Sequence, residues 1–152
     1  MTHQALVSAL AALVVLQACD PAPSPQAPRR EYLYLWTASE DSTQPDFLAV
    51  LDVTEDSSRY GRLVTTLPVP GRWNGPHHTE HVLPADRQLF ANGFGTGKTF
   101  IFDLTDPAHP RLAREFGDVE GYSHPHSFLR LPDGNVLADL TRAATQFVVS
   151  AD

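Results

Sequence analysis

The chain has 152 residues, enough for one ordinary domain, and 42 % of them are apolar, as in globular proteins generally. Its net charge is −7 and its 11 Lys and Arg form no basic stripe, which argues against nucleic acid as a partner. Thirteen prolines, nine glycines and the lack of a sustained helical period after residue 20 argue against a helical fold, and a single cysteine excludes an internal disulfide.

The first segment in chain order is an apolar run from Ala5 to Leu16, too short to span a bilayer. It ends in Leu16-Gln17-Ala18-Cys19, which resembles the lipobox of a bacterial lipoprotein signal peptide. That resemblance implies cleavage before Cys19 and lipid on its thiol, although His3 stands where such signals carry Lys or Arg. A plain secretory signal with a chance cysteine is the alternative. The Cys19 to Arg30 segment carries four prolines, Pro21, Pro23, Pro25 and Pro28, and reads as an extended spacer. The expected order is therefore a signal peptide at 1–18, a lipidated cysteine and linker at 19–30, and a folded part at 31–152. It implies anchoring through lipid to a bacterial cell envelope, on the periplasmic or extracellular face.

Strand patterns then follow quickly, at 31–37, 47–53, 62–67, 78–83, 88–92, 99–104, 111–116, 127–131, 135–140 and 146–150. Turn residues separate them, among them Pro45-Asp46, Asp106-Pro107 and Asp133-Gly134. No gap is long enough for a helical crossover, so antiparallel sheets are expected.

Two internal repeats run through these strands. His78 to Pro84 aligns with His126 to Pro132 at an offset of 48 residues, and Asp52 aligns with Asp103 at an offset of 51. A period of about 40–50 residues built from short strands is the signature of a β-propeller blade. A hairpin holding the Asp, followed by the unit holding the His, should fill one four-stranded blade. Residues 31–152 then supply two to three blades, fewer than a closed ring of about four to eight needs. The fold expected is all-β, an incomplete β-propeller, and the chain reads as a truncated part of a longer protein.

Five of the seven histidines fall in two short segments, His77, His78 and His81 in one and His124 and His126 in the other. Equivalent residues of successive blades face a common axis. His78 and His126, with His77 beside the first, can thus converge on one metal ion. Neutral imidazole suits Cu, Zn, Fe or Ni. His81 and His124 are candidates to support the ligands from behind, and His109 reads as a turn residue. The stretch from Gly93 to Thr99 looks like a phosphate loop, but that pattern needs glycine where Asn92 stands, so a glycine-rich hairpin turn is expected. No catalytic nucleophile is assigned.

Several of these stretches carry a family likeness: Tyr34 to Thr37, Pro45 to Val53, Pro76 to His81, Phe100 to Pro107, and His126 ahead of Leu131-Pro132-Asp133-Gly134. In this order they resemble the N-terminal part of the selenium-binding protein/methanethiol oxidase family. The resemblance implies a seven-bladed β-propeller and a copper-dependent oxidase of a small thiol, yielding formaldehyde, hydrogen sulfide and hydrogen peroxide from methanethiol. It implies copper held by histidines, with the family's His-His pair falling on His77 and His78 and a later His on His126. Leu129 stands where the family has a further His, and its selenium-linked cysteine motif has no counterpart. The competing expectation is a non-catalytic propeller lipoprotein, acting as a periplasmic scaffold or metal-binding protein.

Overall fold

The computed structural model describes residues 29–141 and 145–149, so the expected signal peptide, Cys19 and most of the linker lie outside the described residues. Among the described residues there are ten strands: β1 Tyr32–Thr37, β2 Phe47–Asp52, β3 Leu63–Pro68, β4 Pro76–Thr79 and β5 Gln88–Gly93, then β6 Lys98–Asp103, β7 Arg111–Phe116, β8 Pro125–Arg130, β9 Val136–Leu140 and β10 Thr145–Val149. There is no helix among the described residues. All pairings are antiparallel, in three sheets ordered β1-β2-β3, β4-β5-β6-β7 and β10-β9-β8. These are consecutive meanders, the construction of propeller blades.

Both repeats reappear as matched irregularities. The β2–β3 ladder shifts register between Val50 and Leu51, and the β6–β7 ladder between Ile101 and Phe102, again 51 residues apart. Thr79 pairs with Ala91 and Ser127 with Asp139, each 48 residues on, and each ladder shifts just before that pair. The blade phase differs from expectation. The complete sheet begins with the His-bearing strand β4 and ends with the Asp-bearing hairpin β6–β7, so the His unit leads. Strand β4 is also earlier and shorter than the 78–83 expected. After Thr79 the Glu80 carboxylate turns inward and accepts the Phe90 N–H at 3.1 Å, taking the place of a strand carbonyl and ending the ladder.

The two central strands of the middle sheet, β5 and β6, are buried on both faces, which is why they read as largely apolar runs. Leu89, Ala91, Phe100 and Phe102 pack with Leu48 and Val69 of the first sheet's segment, while Phe90 and Ile101 pack with Val136 and Phe128 of the third. Alternation along β5 and β6 sends neighbouring side chains into the two different cores. Trp36 joins the sheets: its ring lies 5.4 Å from Phe100 and 5.6 Å from Phe102, and its Nε1–H donates to the Asn92 carbonyl at 2.6 Å. Asp52 and Asp103 close equivalent turns by accepting the N–H of Thr54 and Thr105 at 2.9 and 2.8 Å. These turn roles match the capping expected of short acids after a strand.

Candidate metal centre

Strands β4 and β8 lie side by side where the second and third sheets meet, and they bring His77, His78 and His126 together. One ring nitrogen from each lies within 4.8 Å of the others. Ring centroids are 4.2 Å apart for His77 and His78, 5.1 Å for His77 and His126, and 4.7 Å for His78 and His126. In a tetrahedral site with bonds of about 2.1 Å, ligand nitrogens stand about 3.4 Å apart, so the rings would close in by about 1 Å to share one ion.

Consecutive residues of a regular strand point to opposite faces, so His77 and His78 should diverge. They converge because β4 carries an extra residue between Pro76, opposite Gly93, and Thr79, opposite Ala91. A bulge of this kind re-aims side chains. Strand β8 has the matching extra residue between Pro125 and Ser127, at His126.

The ring hydrogen bond of His78 suits a metal as well as the placement of the cluster does. His78 Nδ1 lies 2.7 Å from the His126 carbonyl oxygen. A carbonyl oxygen only accepts, so Nδ1 carries a proton and, in the neutral ring, Nε2 keeps its lone pair. Such a backbone partner commonly fixes the tautomer of a metal-binding histidine. His77 is exposed, and His78 and His126 are half-buried, so the cluster opens to solvent on the His77 side.

Two residues that sequence reasoning left aside frame the cluster. Asn92, read only as a misfit to a phosphate loop, is fully buried and bonds to both His-bearing strands. Phe94, in the turn between β5 and β6, packs its ring 5.6 Å from His77 and 5.8 Å from His126. The available signal was a polar side chain and a large aromatic in a glycine-rich stretch beside an apolar strand. The turn can reach this position because Gly95 meets the opposite loop backbone to backbone; a Cβ there would lie 2.6 Å from the Trp73 carbonyl oxygen.

The remaining histidines stand apart from the cluster. His124 is half-buried with φ 62°, pairs through Nδ1 with the Ser123 hydroxyl at 2.8 Å, and meets Phe94 edge-on at 6.4 Å. It thus reaches the cluster only through Phe94. His81 is exposed in the loop after β4 and makes no hydrogen bond to another described residue. His109 is an exposed turn residue, with Nδ1 3.3 Å from Asp106 Oδ2.

Antiparallel blades carrying a three-imidazole cluster between facing strands of two successive sheets define a β-propeller protein with a candidate metal centre. No family model matches the chain. It is 35 % identical over 122 residues to a methanethiol oxidase of Hyphomicrobium sp, an alignment covering 77 % of this chain and 28 % of that protein. To a methanethiol oxidase of Danio rerio it is 25 % identical over 129 residues, covering 74 % and 28 %. Among solved structures, a hypothetical selenium-binding protein of Sulfolobus tokodaii superposes with a TM-score of 0.58 at 22 % identity, covering 78 % of this chain and 30 % of that one. The chain belongs to the selenium-binding protein/methanethiol oxidase family. It spans about 28 % of the length of the curated relatives it matches.

Proposed function

We propose that this chain carries the metal-binding part of a copper-dependent oxidase of small thiols, methanethiol first among them. The observation that carries the reading is the convergence of three imidazoles from two successive blades, with the His78 tautomer set by a backbone carbonyl. The names of the relatives supply the substrate class. Copper held there would supply one-electron chemistry between a bound thiolate and dioxygen. The overall change balances as methanethiol, dioxygen and water giving formaldehyde, hydrogen sulfide and hydrogen peroxide.

The chain's own residues would act by holding and shielding. His78 offers Nε2, because Nδ1–H is engaged by the His126 carbonyl. His77, on the exposed side, borders the path by which a thiol arrives. Phe94 presents an apolar ring beside His77 and His126, against which a methyl group can rest while water is kept from that side. The folded part is further proposed to work outside the cytoplasmic membrane, tethered through Cys19.

The test is to purify the full-length protein, determine its metal content, and follow hydrogen sulfide and hydrogen peroxide released from methanethiol in air. Stoichiometric copper with both products supports the reading. Copper without turnover points instead to storage or delivery, and absence of both copper and turnover leaves a propeller scaffold.

A further inference from the structure

We propose that Asn92 is the positioning residue of the imidazole cluster: one buried side-chain amide sets the bulge that aims His77 and His78 and the carbonyl that sets the His78 tautomer. The inference rests on reading His77, His78 and His126 as ligands. Asn92 lies in β5, has no solvent exposure, and uses all four hydrogen-bonding positions of its amide on the two His-bearing strands. Its Oδ1 accepts from the N–H of His77 at 3.1 Å and of His78 at 2.7 Å. Two successive backbone N–H groups share one acceptor only where the strand departs from alternation, so this oxygen holds the bulge in place of a ladder partner.

The other end of the amide treats β8 in the same way. Nδ2 donates to the Pro125 carbonyl at 2.9 Å and to the His126 carbonyl at 3.1 Å. That second carbonyl is the one His78 Nδ1–H donates to. Asn92 itself is held from behind, since its backbone pairs with Thr99 and its carbonyl takes the Trp36 indole N–H. Asparagine is the residue this arrangement requires. Aspartate has the same shape and can accept from both His amides, but it would set a carboxylate oxygen against two carbonyls.

The test uses the full-length protein, stripped of metal and kept mildly alkaline, with Zn2+ as a redox-silent probe. Ring 15N shifts are expected to report His78 as the Nδ1–H tautomer in the wild type. In Asn92→Asp that preference should be lost and the Zn2+ dissociation constant should rise about 10–100-fold, the usual effect of losing a partner that orients a ligand. A residue with a merely structural role would lower the unfolding midpoint while leaving the tautomer and the affinity of the folded fraction unchanged, and that result overturns the proposal. An Nε2–H tautomer for His78 in the wild type also overturns the proposal, and should Asn92→Asp not fold, Asn92→Ser takes its place with the same two readouts. A wild type that binds no metal yet shows the tautomer and its loss in the variant refutes the ligand reading and leaves the positioning role standing.

Discussion

Glu80 and Arg130 clamp two successive blades together through a forked ion pair, with Arg130 Nε 3.0 Å from Oε1 and Nη2 3.1 Å from Oε2. Glu80 lies two residues beyond His78 and Arg130 four beyond His126, so the clamp secures the far end of the two strands that Asn92 joins at the near end. Arg130 also reaches Asp86 at 2.8 Å and the carbonyls of Gln88 and Gly134, and its guanidinium lies 5.5 Å from the Phe90 ring centre. The Glu80 side chain is only 6 % exposed. Removing one partner strands a largely buried charge, so Arg130→Met should destabilise the protein by about 3 kcal/mol. Urea unfolding of the full-length protein measures this; a loss below about 1 kcal/mol would put the pair among weak surface bridges.

The turn after β6 sets a pH dependence. Hydrogen bonds from Thr105, and then from Arg111, hold the Asp103 carboxyl below its ordinary 3.8, at about 2. Arg111 Nη2 stands 2.7 Å from Asp103 Oδ2. A depressed folded-state pKa means the contribution is complete above 3.8 and fades as pH falls towards about 2. Asp103→Asn should therefore lower the unfolding midpoint at neutral pH, and the gap from wild type should narrow steadily between these two values. A gap that does not change with pH over that range contradicts the assignment.

Most of the fold was legible in the chain because its signals are local. Asp52 and Asp103 end β2 and β6 at turns they close themselves, Gly134 lies in the turn between β8 and β9, and the two repeats put equivalent residues at equivalent bulges. The pairing of His78 with His126 in one cluster was legible for the same reason, through their 48-residue spacing. What escaped was carried by side chains acting over long separations. Asn92 bonds to Pro125 and His126, 33 and 34 residues away, and Glu80 pairs with Arg130 across 50. Neither has a periodic signature, and Glu80 is also what cut β4 short of the expected 83. The blade phase was misread because repeats reveal a period but not which strand begins the sheet.

Tethering to the envelope rests on Leu16-Gln17-Ala18-Cys19 and the proline-rich stretch after it. One acyl chain gives only marginal membrane binding, so lasting attachment calls for several chains on one cysteine. Cys19→Ser should move the protein from the membrane fraction to the soluble envelope fraction. Equal recovery of variant and wild type in washed membranes would refute lipidation at Cys19.

The metal reading stands or falls on His78 and His126. Each supplies a ring nitrogen to a cluster within 4.8 Å, and each lies at the bulge of its strand. Losing one of three imidazoles leaves two ligands, and affinity should drop by orders of magnitude; His109, paired only with Asp106 on an exposed turn, should contribute nothing. His78→Ala and His126→Ala are each expected to abolish stoichiometric copper in the full-length protein, with His109→Ala retaining it. His77→Ala should have an intermediate effect, because its exposed ring is the least fixed of the three: Asn92 holds its backbone N–H, but no hydrogen bond between described residues holds its ring. Metal analysis alongside circular dichroism separates ligand loss from unfolding. Full copper occupancy in a folded His78/His126 double variant would remove the site altogether.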